Sequence, residues 1–374
     1  MANETTLPSA LEFESARGVV NQLKVQTSVL QDLFMMGPGQ ANTVQRDGDK
    51  FNEDVFNDVR TVPSAVAPGA DYPQSAANPV GNFSSSAIRV ADEIPHTGNR
   101  LHMLRAIGGS DVVRDTQGRR YLTEQLRVQK GRHSLLRDAA IGGILRDSLY
   151  LKPSGANLLP TFTSTGAVQV LTQIPAGHKS QLNVLGGGDI IGTTWSNAAA
   201  AIVTDWYQIA DAAAQESGTV PTVWLWESAT WAACILANTQ LLNLAGTSNQ
   251  IWIENTVDNR GLRRVVLAGM PDVTHYIYDG VVTLDGSTVK IVPANQVLMF
   301  PAPMAGQEWF QMIEGSDDYP INGDDSPDVT AFGMVFYFRK DGSKTSSVIL
   351  QRSNDLFIPF LRIPKAVYAP TVVF

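Results

Sequence analysis

The chain has 374 residues, 44% of them hydrophobic, and a formal net charge of -8 from 28 Lys and Arg against 36 Asp and Glu. That length and apolar content support sizeable cores in two or three domains and exclude an intrinsically disordered chain. The acidic balance excludes a protein that clamps phosphates over a broad basic surface, and the single cysteine, Cys234, excludes a disulfide framework within one chain.

The opening MANETTLPSALEFESARG has neither a basic start nor an apolar signal core, and no run reaches membrane-spanning length. Both features predict a protein that folds in a reducing cytoplasm with no membrane partner. Ser9 and Glu12 fit a capping box, and Leu23, Leu30 and Phe34 continue at helical spacing until Gly37-Pro38-Gly39 breaks the pattern. Residues 1–50 hold too little apolar material for a domain and read as an arm. Residues 51–103 contain strand-like pieces at Asp54–Val62 and Ser85–Glu93, joined by the irregular PSAVAPGADYPQSAANPVGN. A connection of that length reads as a projecting loop supported by a neighbouring molecule.

Arg119–Leu149 reads as one long helix, about 45 Å at 1.5 Å per residue, stopped from beyond by Pro153. Leu122, Leu126, Leu136 and Ala140 mark one apolar face, and Leu135, Ala139 and Leu145 an adjacent one, so two partners are expected. Gly131, Gly142 and Gly143 each cost roughly 1 kcal/mol of helix stability and point to close approach or to a bend. From Arg100 to Arg146 ten basic residues stand against four acidic ones. That local excess fits a solvated face, an acidic neighbour or a polyanion.

Short strands are expected over Leu158–Leu185. A helix over Trp195–Glu216 capped by Ser196, a strand Val220–Leu225 and a helix Ser228–Leu244 with Ser228 as cap follow. Strands at Gln250–Asn255, Val265–Leu267, Thr274–Tyr278 and Gln296–Phe300 complete an α/β unit bounded at about 190 and 312. The acidic run Glu314–Asp328 reads as a loop. Met334–Arg339 and Thr345–Gln351 form a hairpin around Asp341-Gly342. The tail LFIPFLRIPKAVYAPTVVF is apolar and proline-punctuated, which predicts an edge strand or an extended strap.

Chemistry is hard to place on this chain. The five histidines, His96, His102, His133, His178 and His275, do not cluster at metal-ligand spacing. Cys234 in WAACIL reads as a buried small hydrophobe, and no nucleophile elbow is present. Gly186-Gly187-Gly188-Asp189-Ile190-Ile191-Gly192 misses the dinucleotide fingerprint by one place. Asp317, Asp318, Asp324 and Asp325 are dense enough to consider for calcium, but their spacing is not that of a calcium-binding helix-loop-helix. No catalytic residue, cofactor or metal is expected.

The order of parts resembles the major capsid proteins of tailed bacteriophages, and in particular the lambda-type major capsid protein E family, from about Lys50 to Phe374. FNEDVFNDVR with Ala67-Pro68-Gly69, the Trp195-Ser196 helix start, GLRRVVLAGMPDVTHYIYDG followed by VKIVPANQVLMF, and LFIPFLRIPKAVYAPTV carry the likeness. It implies an α+β protein of the Hong Kong ninety-seven-type capsid fold. Residues 1–50 would be the N-arm and 51–103 the E-loop. Residues 104–189 would be the peripheral domain with its spine helix at about 119–149, 190–312 the axial domain, and 313–374 the return to the peripheral domain with hairpin and strap.

The resemblance further implies self-assembly into pentamers and hexamers of an icosahedral-type head, built in the host cytoplasm and enclosing double-stranded DNA without specific recognition. A portal, a separate scaffolding protein and a decoration protein are the implied partners. Some capsids of this fold cross-link through an E-loop lysine, but Phe51 to Gln129 holds no lysine, so a noncovalent shell is expected. An encapsulin-like nanocompartment enclosing a cargo enzyme is the alternative, and an enzyme built on the α/β unit is a third reading that lacks a site. Gly142 and Gly143 are expected to let the spine bend as the shell expands.

Overall fold

The computed structural model describes residues 28–56, 80–97, 111–154, 157–167, 169–170, 173–184, 188–244, 252–258, 260–284, 286–319, 329–341 and 348–374. The Ser9–Glu12 capping box, the loop tip with Ala67-Pro68-Gly69, His102, Asp324 and Asp325 lie outside these residues.

The long helix runs Asp111–Leu145, 35 residues, and so begins before and ends before the 119–149 read from the sequence. Its stop is not Pro153. Asp147 takes a left-handed backbone, φ 56°, while its N–H bonds Ile144 O at 3.0 Å and Ser148 N–H bonds Gly143 O at 2.9 Å. These two bonds form a Schellman turn, which satisfies the last carbonyls and reverses the chain. Leu149 is then buried, and Pro153 falls inside the following strand Tyr150–Ser154.

The helix lies on a six-stranded sheet whose middle is the fourteen-residue strand Val348–Leu361. Ile88–Thr97 pairs along it antiparallel, Val335–Asp341 pairs with its first half, and Phe310–Tyr319 pairs with its last residues. Thr43–Arg46 lies parallel to Phe310–Tyr319. LFIPFL ends the long strand: Phe357 pairs on both sides, with Ile88 and Glu314, whereas Ile358–Leu361 pair only with Phe310–Ile313 among the described residues, so Pro359 stands on the one-sided stretch that its missing N–H favours. The acidic run is not a loop at its start, since Glu314 to Asp318 belong to the strand Phe310–Tyr319. The hairpin pairs Val335–Asp341 with Val348–Asn354. Lys50–Phe56 and Val80–Ser86 form a separate two-stranded ribbon.

The α/β unit has a five-stranded sheet in the order Trp252–Val257, Arg263–Leu267, Met270–Ile277, Val223–Trp226, Val297–Phe300. Period-two alternation gives it two apolar faces. Trp224, Trp226, Val297 and Met299 join Trp195, Trp206 and the helices in one core, while Val223, Leu225, Leu298 and Phe300 join Ala139–Leu145 of the long helix in the other. The α/β unit and the long helix therefore share a core.

Ser196 caps nothing in this unit. The helix there is Ile202–Glu216 behind Ala201, and Trp195 is instead buried with its N–H on Val372 O at 2.8 Å. Ser228 gives way to Glu227, whose carboxylate accepts from Thr230 N at 2.8 Å. That helix, Ser228–Trp231, continues through a π-turn at Ala232–Leu236 to a separate Thr239–Leu244. The last residues do not return to the first sheet. Tyr368 and Met299 exchange backbone bonds at 2.8 and 2.9 Å, and Ala369–Pro370 pairs with Lys179–Ser180, so the tail straps the α/β unit.

Candidate assembly site: the long helix and its polar seam

The apolar positions divide along the length of the helix rather than between the two expected stripes, since Leu136 and Ala140 of the first share one core with Leu135, Ala139 and Leu145 of the second. Leu122 and Leu126 pack on Phe336, Phe338, Met334 and Ile349 of the hairpin. Leu135, Leu136, Ala139, Ala140 and Leu145 join the main core with Phe34, Phe310 and Phe357. Gly142 and Gly143 sit where other segments press on the helix. A methyl on Gly142 would lie 2.5 Å from Ile291 Cγ2, and one on Gly143 would lie 2.9 Å from Phe162 Cε1. Close approach by other segments accounts for both glycines.

A third, polar face was invisible to a reading that followed apolar spacing. Gln129, His133 and Arg137 recur every fourth residue on the helix, and Gln351, Ser353 and Asp355 every second residue on the long strand. Four helical residues rise about 6 Å and two strand residues about 6.6 Å, so three rungs stay in phase. Gln351 Nε2 donates to Gln129 Oε1 at 2.7 Å, and His133 Nε2 lies 2.8 Å from Ser353 Oγ. Ser353 Oγ donates onward to Asp92 O at 3.3 Å, which makes His133 Nε2 the donor. Burial holds that imidazole below its ordinary range.

At the third rung Arg137 is 0% exposed and serves two carboxylates, Asp355 and, through Nη1 at 2.8 Å, Glu314 Oε1. Burial opposes its charge, but Asp355 and Glu314 more than offset that, so its proton is held more tightly than usual. The basic helix thus meets the acidic run within one chain. Its neighbour Asp138 turns the other way. Oδ2 accepts from Leu30 N at 3.0 Å, and Oδ1 accepts from Gln31 N at 3.0 Å and Gln31 Nε2 at 3.1 Å. Ser28 makes no side-chain cap for the short helix Val29–Phe34, so Asp138 caps it from across the fold. Burial pushes that carboxyl up to about 7 even against these donors. The base of the arm is anchored here.

The remaining candidates are tied into the fold. Asp317 pairs with Arg89 and accepts from Asn354 Nδ2 at 3.1 Å, while Asp318 accepts from Thr330 Oγ1 at 2.6 Å. Among the described residues no three or more His, Cys, Asp or Glu side chains gather at a point that could hold a metal. Cys234 is buried, and its thiol is pushed up to about 12 by desolvation. His96, His133, His178 and His275 are all buried, and His96 lies on the same seam as His133, its Nε2 3.0 Å from Gln351 Oε1. His178 pins the tail, with Nδ1 3.0 Å from Val367 O, Nε2 2.7 Å from Glu216 Oε2, and its ring stacked on Tyr368. No helix among the described residues is long and apolar enough to cross a membrane.

No family model matches the sequence, and no curated protein does. Solved structures do. A phage-related protein from Bordetella bronchiseptica RB50 superposes with a TM-score of 0.53 at 14% identity, covering 97% of this chain and 97% of that one. A protein assigned as the capsid protein of a prophage in E. coli CFT073 superposes with a TM-score of 0.55 at 11% identity, covering 97% of this chain and 99% of that one. At such identities the likeness speaks for architecture alone, and it covers nearly the whole of each chain: the chain has the Hong Kong ninety-seven-type capsid fold.

Proposed function

We propose that the chain is the major capsid protein of a tailed bacteriophage or prophage, self-assembling into pentamers and hexamers of a head that encloses double-stranded DNA. The observation that carries this is the end-to-end match to a protein assigned as a prophage capsid protein, over 97% of this chain and 99% of that one. The polar seam and the Asp138 cap fit the role, since they lock arm base, helix and sheets into one building block. In this reading residues 1–50 are the N-arm, 51–103 the E-loop, 104–189 with 313–374 the peripheral domain and 190–312 the axial domain, the tail crossing onto the last. A portal, a separate scaffolding protein and a decoration protein are its partners, and the shell is noncovalent.

Electron microscopy of the purified recombinant protein tests the proposal. Closed particles with five- and six-fold capsomers are expected, and particles from the host should carry DNA behind a portal vertex. A stable monomer at high concentration overturns it, as do small uniform shells filled with protein cargo. A ladder of linked subunits in denaturing electrophoresis would contradict the noncovalent shell.

A further inference from the structure

The five-stranded sheet has two lateral edges, and the chain treats them differently. Val297–Phe300 is closed by the strap through the Met299–Tyr368 pair. At the other edge, Trp252–Val257 pairs only with Arg263–Leu267 among the described residues. Its outward N–H and C=O groups form an open template for another strand.

Natural edges are usually protected by lysine, proline or an inward charge. This one reads Trp-Ile-Glu-Asn-Thr-Val, and its one carboxylate, Glu254, is occupied by Arg264 Nη1 at 2.6 Å. The register shifts between Trp252 and Glu254, which puts a bulge at Ile253, while Glu254 to Val257 stay in regular register with Arg263 to Val266. Ile253 is 64% exposed and Val257 60%. Apolar exposure continues around the end of the strand. Leu244, 52% exposed, lies over Gly269, two residues past Leu267, the partner of Trp252.

We propose that this edge is a contact between neighbouring copies of the chain, with Ile253, Val257 and Leu244 covered by the adjacent subunit. The inference rests on the shell reading above and names the surface through which α/β units join. A second copy is the fitting occupant because a shell is built from copies of one chain, and this chain's own strap covers the far edge of the sheet while leaving Trp252–Val257 uncovered among the described residues. In a shell the next copy is also the partner at highest local concentration.

The test uses the full chain. Ile253→Lys with Val257→Lys adds charge to exposed positions, and Val281→Lys, at another exposed apolar site on the separate hairpin Val281–Leu284 and Ser287–Lys290, is the control. Sedimentation velocity and electron microscopy read the assembled fraction, and circular dichroism reads folding. The edge variant is expected to stay folded with its assembled fraction down by about ten-fold or more, a loss worth about 1.4 kcal/mol per decade, while the control assembles. A wild-type protein that assembles beside an edge variant that assembles equally well overturns this proposal and leaves the shell reading standing. A wild-type protein that never assembles overturns both. Hydrogen exchange on the wild type decides independently of any variant: slower exchange across residues 252–257 in particles than in unassembled protein is expected, and equal rates overturn the contact.

Discussion

The guanidinium of Arg137 meets the carboxylate of Asp355 side-on, Nε to Oδ2 at 2.8 Å and Nη2 to Oδ1 at 2.5 Å, across 218 residues of sequence and with neither side chain exposed. Asp355 therefore has no water to fall back on. Removing one member of a buried pair leaves the other charge stranded, which typically costs about 3–5 kcal/mol, whereas replacing the whole group with apolar residues of similar volume can be neutral. Arg137→Met should lower stability by about that amount in urea denaturation, and Arg137→Met with Asp355→Leu and Glu314→Gln should recover much of it. A triple variant as unstable as the single one would show that the charges themselves hold the seam.

At Gly142 the sign is set by two opposing magnitudes. Alanine gains roughly 1 kcal/mol of helix propensity, but its methyl would lie 2.5 Å from Ile291 Cγ2 and 3.0 Å from Ile291 O. Overpacking of that kind costs about 1–3 kcal/mol. Gly142→Ala is expected to destabilise, and Ile291→Ala, which removes Cγ2, should couple with it so that the double variant loses less than the sum. Additive losses would place the strain elsewhere. If the glycine pair also serves as a bend during shell expansion, replacing both by alanine stalls particles before expansion, which microscopy reads directly.

How much of this was legible in the sequence depends on what each residue touches. The long helix was readable from its formers and the hairpin from its two β-rich runs, but Lys340 and Asp341, expected in the turn, belong to the first strand and pair with Ile349 and Val348. The seam was not readable, because Gln129, His133 and Arg137 count as surface residues until Gln351, Ser353 and Asp355 arrive from the far end of the chain. Glu314 read as loop for the same reason, since its partner lies 177 residues away. Ser196 resembled a cap, yet Trp195 beside it is drawn into the tryptophan core and the helix starts only at Ile202. The apolar tail was read correctly as needing cover, but its place against Met299 and Lys179 depends on pairing that no local pattern encodes.

The buried titratable groups predict acid sensitivity with a measurable offset. Burial holds the His133 ring below its usual 6.5 and pushes His275 down to about 3. Both bind a proton less readily in the folded chain than in the unfolded one, so stability falls as pH drops below 6.5. Asp138 acts in the opposite sense. Burial pushes it up to about 7 from 3.8, so the folded chain holds the proton more tightly between those values and gains stability as pH falls across them. Asp138→Asn removes that gain. Urea midpoints at pH 5 and pH 7.5 should therefore differ more in the variant than in the wild type, and parallel losses would contradict the assignment.

Asn42 offers the sharpest test of hydrogen-bond direction at the base of the arm. Its side chain is buried, and Nδ2 donates to Phe34 O at 2.7 Å and Met304 O at 2.9 Å, while Oδ1 accepts from Gly306 N at 2.8 Å and Gln307 N at 3.1 Å. Every partner of the amide is backbone, and none can reverse its role. Asn42→Asp keeps the shape but turns two donors into a carboxylate oxygen facing two carbonyls, so it combines lost bonds with an unpaired buried charge. Asn42→Ala only leaves the backbone groups unsatisfied, at about 1–3 kcal/mol each before water enters. The nearly isosteric aspartate should therefore be the more damaging replacement at pH 7.5, and the gap should narrow as the carboxylate is protonated below pH 5. Thermal unfolding of the two variants at both pH values reads the difference, and an aspartate variant more stable than the alanine variant at pH 7.5 would show that the amide is not held between these carbonyls and N–H groups.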